Sequence, residues 1–123
     1  MKKLINLFFG GFIIFLSSCA MQMSPSEVST KLPSLTKSKY ISHPQAEELL
    51  KTGKGKYLVR NRTYVAPMGL TVKEDLINGA NGIDDWVKLD GGNAYEIKSC
   101  NWLPVGNNGA TQLHLEFDTM LCE

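Results

Sequence analysis

Three cysteines hold most of the reactive chemistry in this 123-residue chain, and their positions assign them different work. Cys19 follows an aliphatic residue and two small ones, Leu16-Ser17-Ser18. Small side chains beside a scissile bond admit a peptidase, and a thiol at that point can take a thioether-linked lipid. Cys100 and Cys122 lie far downstream and are the pair left for a disulfide. The other reactive types are thinly spread. His43 and His114 have no neighbours that suggest a metal site, and four ligands are hard to assemble, so both read as surface residues and no metal or other cofactor is expected. Asp84-Asp85 could bind a cation or act in acid–base work, but paired carboxylates beside a glycine-rich turn more often cap or solubilise it. Gly53-Lys54-Gly55-Lys56 lacks the spacing and the Ser/Thr of a phosphate loop. No serine sits in a nucleophile elbow. Trp86 and Trp102 could stack on sugars, yet in so small a domain they read as core. No catalytic residue and no small-molecule substrate follow from these residues.

The context of Cys19 makes its chemistry specific. Lys2 and Lys3 precede an apolar run from Leu4 to Leu16. That run is too short for a transmembrane helix, which needs about 20 apolar residues, and has the length of a signal-peptide core. With Leu16-Ser17-Ser18-Cys19 behind it, the segment resembles a bacterial lipobox, so residues 1–18 are read as a signal peptide and Cys19 as the lipidated N-terminus. Several acyl chains anchor a protein stably where one does not. By resemblance to other bacterial lipoproteins, Ala20 after the cysteine, rather than Asp, implies sorting to the outer membrane.

Removal of residues 1–18 leaves one small domain's worth of chain. Two of the 13 basic residues go with the signal, leaving 11 against 12 acidic ones. No basic field suggests nucleic acid. The charges are segregated, however: residues 20–62 hold eight Lys/Arg and three Asp/Glu, and residues 63–123 hold three and nine. A basic membrane-proximal part ahead of an acidic domain could orient the protein against anionic lipid or a partner.

The elements that position these residues follow from periodicity and turn chemistry. Residues 19–41 read as the lipidated cysteine and a flexible linker, rich in Ser, Thr and Lys with two prolines; 22 residues of coil would reach about 26 Å. Its apolar members, Val28, Leu32 and Leu35 among them, exceed what a spacer needs and suit docking on a partner as an added strand or extended peptide. Residues 42–123 form the domain. Ser42-His43-Pro44-Gln45 opens a short helix with a capping box, and Gly53 stops it. Lys56 to Val65 reads as strand. Thr71-Val72-Lys73-Glu74 caps a second helix, predicted to end near Ile77 because Asn78-Gly79 and Asn81-Gly82 break the chain. Asp85–Leu89 and Tyr95–Leu103 follow as strands, the latter with Tyr95 and Ile97 on one face and Cys100 and Trp102 on the other. From Gln112 to Leu121, Leu113, Leu115, Phe117, Thr119 and Leu121 point inward, and Gln112, His114, Glu116 and Asp118 outward. The result is an α+β fold: a small, mostly antiparallel β domain with one or two short helices and a disulfide.

The cysteines and the last hairpin conflict. An exported small domain with two remaining cysteines favours a Cys100–Cys122 bond, contributing about 3 kcal/mol in the chain-entropy view; a buried thiol or a link to another chain are the alternatives. A tight turn at Asn107-Asn108 would instead set Cys100 opposite Leu115 and leave the sulfurs about 23 Å apart, where a disulfide needs Cα atoms within about 7 Å. The disulfide is expected here, with a longer loop.

Asp84-Asp85-Trp86-Val87, Asp90-Gly91-Gly92, Cys100-Asn101-Trp102-Leu103-Pro104 and the final Cys122 resemble the CagT-type lipoproteins, outer-membrane core components of type IV secretion and conjugation machines. The likeness covers about residues 82–122 together with the lipid signal. It implies a structural, non-catalytic subunit whose partners are the membrane, through the lipid anchor, and protein subunits of a secretion or conjugation core. By analogy with related small secretion lipoproteins, the segment from Val28 to Ile41 would lie against a neighbouring subunit. An exclusion or surface lipoprotein of a mobile element, and a periplasmic inhibitor of the lysozyme-inhibitor type, are the other classes compatible with these residues.

Overall fold

The computed structural model describes residues 23–123; the signal segment and Cys19 lie outside the described residues. In chain order the elements are α1 (Pro25–Lys31), a 3-10 turn (Leu32–Ser34), β1 (Lys39–Tyr40), α2 (His43–Thr52), β2 (Gly55–Val65), α3 (Val72–Leu89), β3 (Ala94–Val105) and β4 (Ala110–Cys122). The fold is α+β, with one four-stranded sheet ordered β1-β3-β4-β2. β4 is central and antiparallel to both β3 and β2, whereas β1 runs parallel to β3. The sheet is therefore mixed.

Local chemistry explains the helix boundaries. Ser42 and Gln45 form the expected capping box, and Gly53 ends α2 in the left-handed region at φ 74°. Ser24 and Glu27 form a second box around Pro25, which starts α1 inside the segment expected to be a flexible linker. That expectation gives way because the segment's apolar residues have somewhere to go: Val28 and Leu32 are fully buried in the domain's main core. Their burial replaces the partner contact expected for them, and Leu35 stays partly exposed at the edge of a groove.

The largest correction is α3. Residues expected to form a short helix, two breaks and a strand form one helix of 18 residues. Asn78-Gly79 and Asn81-Gly82 sit in its interior, where glycine's propensity cost of about 1 kcal/mol each is offset by close packing on the sheet. A Cβ on Gly82 would overlap the ring of Tyr64. Leu76, Ala80, Ile83 and Val87 then complete an apolar stripe against Leu113, Leu115 and Phe117. Asp85–Leu89 is the last turns of this helix, not a strand.

The β3–β4 hairpin turns through Gly106–Gly109, and Cys100 does face Leu115. Cys122, seven residues beyond Leu115 on β4, is consequently about 23 Å away, so both cysteines are free. The expected disulfide is overturned by the hairpin register itself. Burial pushes the Cys100 thiol up to about 11. A bulge between Ile97 and Ser99 changes the phase of β3. Tyr95, Ile97, Cys100 and Trp102 consequently all pack on the main core rather than on opposite faces.

A second, smaller core lies on the other side of the sheet, where α2 sets Ala46 and Leu49 against Ala94, Met120 and Tyr57. Gly92 is the tight point behind it: its N–H donates to Val87 O at 2.8 Å, and a Cβ there would overlap the Met120 carbonyl oxygen. Backbone cannot rotate away. Gly92→Ala is expected to destabilise the domain by about 2 kcal/mol, seen as a fall of about 10 °C in Tm by circular dichroism. An unchanged Tm would show that the connection between α3 and β3 relaxes freely.

Candidate functional site

The ionisable residues of the sheet gather on its outward face, beside the start of α2. Glu96 on β3 and Asp118 on β4 are direct cross-strand partners, and both are buried. Like charges in that relation repel and need partners, which arrive from three elements. His43, at the first position of α2, brings Nδ1 to 2.8 Å from Glu96 Oε2, and Tyr57 of β2 donates its hydroxyl to Glu96 Oε1 at 2.6 Å. Arg60 Nε donates to Asp118 Oδ2 at 3.3 Å, and Lys98 Nζ stands 3.8 Å from the same oxygen. The Arg60 guanidinium also lies over the Tyr57 ring, 3.9 Å from its centroid.

Irregular backbone builds this arrangement. β2 slips register against β4 between Tyr57 and Val59 and again between Val59 and Arg62. Asn61, with φ 60°, is the only non-glycine residue with positive φ among the described residues; asparagine tolerates that region better than most. Its N–H donates to Asp118 Oδ1 at 2.7 Å. On the adjacent strand the β3 bulge places Lys98 beside the same carboxylate. The two distortions thus converge on Asp118.

The chemistry available here is that of a filled network. Each oxygen of Glu96 and of Asp118 has a donor. Burial, and then the Glu96 hydrogen bond, pushes the Tyr57 hydroxyl up to about 12, so it stays protonated and donating. On the other side of the sheet, Arg62 of β2 stacks on Trp86 with 3.8 Å to the ring centroid and makes a two-point pair with Asp90, Nε to Oδ2 being 3.1 Å. Thr119 Oγ1 donates to the same Asp90 oxygen at 2.8 Å. The Arg62 hydrogen bond, ahead of that from Thr119, holds the Asp90 carboxyl below its ordinary range.

Of the residues weighed in the sequence, Asp84 accepts the backbone N–H groups of Lys37 and Ser38, both at 2.9 Å, and so pins the N-terminal segment onto α3; Asp85 is exposed. His114 lies on the outward face as expected, beside Asn101 and Glu116 in a shallow depression. Trp86 and Trp102 both pack against the core, with the Trp102 Nε1 buried and without an acceptor. Cys19 lies outside the described residues. Among the described residues, no group of three or more His, Cys, Asp or Glu is placed to hold a metal ion. Sequence reasoning put Asp118 on the outward face but missed its burial. The one signal available was the unusual run of polar residues, Arg60-Asn61-Arg62, in a strand.

No family of known proteins, no curated protein and no solved structure matches this chain.

Proposed function

We propose that this chain is an outer-membrane lipoprotein serving as a structural, non-catalytic subunit of a type IV secretion or conjugation envelope complex. The lipobox ending at Cys19 supports the anchor, and the likeness of residues 82–122 to CagT-type lipoproteins supports the machine. The observation that carries the reading is how little chain is left for a tether. α1 is capped at Ser24, and the five Cα–Cα steps from Cys19 to Ser24 span at most about 18 Å in any conformation. A domain so tightly held works on what is fixed at the membrane. That fits a clamped subunit better than an inhibitor ranging through the periplasm. The buried carboxylates, each occupied by internal donors, favour a rigid part over a reactive one.

With Val28 and Leu32 enclosed in the domain, partner docking moves to the sheet edge. β1 pairs only with Ala94 and Tyr95 of β3, so a partner strand would add at the far end of β3, where its residues are exposed. Leu103 and Val105 are exposed near its end.

The test is detergent-solubilised pull-down of the tagged full chain from cells with an active transfer system. Secretion-core proteins should co-purify with the wild type. They should be lost with Cys19→Ser, which should also fail to incorporate a tagged fatty acid and accumulate as precursor. Recovery of no secretion-core protein by the wild type would overturn the assignment in favour of the exclusion or inhibitor classes.

A further inference from the structure

The short tether has a consequence for the domain's surface. Met23, four residues from Cys19, forms part of the wall of a groove of about 480 Å³ between the α1 end of the N-terminal segment and the first turns of α3. Leu35, Val72 and Leu76 supply the rest of its apolar lining, and Lys31 and Lys73 flank it. Two residues ahead of Val72 in the chain, the loop before α3 carries Leu70, whose exposure of 89% is the highest of any large apolar residue among the described residues. This loop is built, not loose. Gly69 N–H donates to Asp75 Oδ1 at 2.6 Å and Leu70 N–H to Glu74 Oε1 at 3.0 Å. Those bonds turn both carboxylates back onto the loop's own backbone and hold the Leu70 side chain out.

We propose that this face, Leu70 with the lysine-flanked groove, is a bilayer-docking surface that seats the domain on the phospholipid leaflet holding its anchor. The inference rests on lipidation of Cys19. The chain's reach selects the occupant: the groove wall begins where the tether ends, and four residues cannot carry Met23 beyond about 14 Å of the lipidated cysteine. Apolar side chains that meet the headgroup–acyl boundary, bordered by lysines whose stems lie along it and whose ammonium groups reach anionic headgroups, are the chemistry of an interfacial contact. Leu70 enters the boundary, and Lys31 and Lys73 pair with phosphate. The other end of α3 lies about 27 Å along the helix from this face, and in this seating it is the end held off the bilayer.

Depth-dependent quenching tests the surface in the full lipidated chain. Protein purified from detergent is reconstituted into vesicles of phosphatidylethanolamine and phosphatidylglycerol with brominated acyl chains. Tryptophan is placed by Leu70→Trp or, at the far end of α3, by Leu89→Trp, with the wild-type signal of Trp86 and Trp102 subtracted. Leu70→Trp should be quenched at least twofold more than Leu89→Trp, and Lys31→Glu with Lys73→Glu should remove at least half of that difference. Equal quenching at the two sites, in a preparation whose Cys19 peptide carries diacylglycerol by mass, overturns the docking surface and leaves the anchor standing. A Cys19 peptide without diacylglycerol overturns the anchor reading and this inference with it.

Discussion

Leu32→Ala should lower the stability of the domain by about 3 kcal/mol, although the residue lies in a stretch whose composition is that of a linker. Leu32 is fully buried and shares the main core with Val28, Leu76, Ala80 and Ile83. Truncating such a leucine removes its transfer energy and leaves a cavity, for which about 2–5 kcal/mol is usual. Collapse around the cavity is restricted, because the segment is fastened on the C-terminal side of Leu32. Asp84 accepts the N–H groups of Lys37 and Ser38, and Thr36 Oγ1 lies 2.8 Å from the Tyr95 hydroxyl. Leu35→Ala, at a partly exposed position, should cost less than about 1 kcal/mol. Urea unfolding of the purified full chain followed by circular dichroism measures both. A loss below about 1 kcal/mol for Leu32→Ala would mean that the segment rests on the domain without belonging to its core. The comparison also bears on partner binding, since Val28 or Leu32 variants that reduce co-purification would do so by unfolding the domain.

Where local chemistry decides structure, the sequence was legible. The Ser42–Gln45 capping box, the stop at Gly53, the β2 span and the inward set Leu113, Leu115, Phe117 and Thr119 all appear as expected. The misreadings share a cause: a tertiary contact outweighed a local signal. Gly79 and Gly82 carry a strong break signal, but the sheet beneath rewards a helix without side chains at those points. Cys100 and Cys122 suggested a pairing that compartment chemistry favours, and strand register forbids it. Tyr95 and Cys100 are five residues apart, which in a regular strand means opposite faces; the bulge between Ile97 and Ser99 restores them to one face. Leu121, expected inside, is partly exposed, and Met120 beside it is buried under α2. That end of β4 is covered on the face opposite to the main core. The polar network on the outward face was the least legible part. It depends on two register slips in β2 and one in β3, and alternation rules carry no information about bulges.

Asp118→Ala should cost about 3 kcal/mol, and Asp118→Asn about 1 kcal/mol or less; the ordering says what the buried carboxylate does. Asp118 is fully buried and has three partners of unequal weight, two hydrogen-bond donors and one ion-pair lysine. Arg60 is half exposed and Lys98 about one-third exposed in their side chains, so solvent screens both pairs and their contribution is small. The Asn61 N–H is different: it is a backbone donor in a part-buried bond of 2.7 Å to Oδ1, at the residue whose φ of 60° makes the β2 irregularity. Alanine removes the only acceptor shown for that N–H, a hydrogen bond to a charged group worth about 1.5–3 kcal/mol. It also opens a void beneath Arg60 and leaves two cations without their anion. Asparagine keeps an oxygen for Asn61 and removes one of two like charges facing each other across β3 and β4, so relief of the repulsion with Glu96 offsets the weaker contacts to Arg60 and Lys98. Urea titrations at two ionic strengths separate the contributions. If the hydrogen bond dominates, the difference between the Ala and Asn variants persists at high salt, because a part-buried neutral donor is screened little. Equal losses for both variants would show instead that the negative charge, not the acceptor, holds the distorted strand in place.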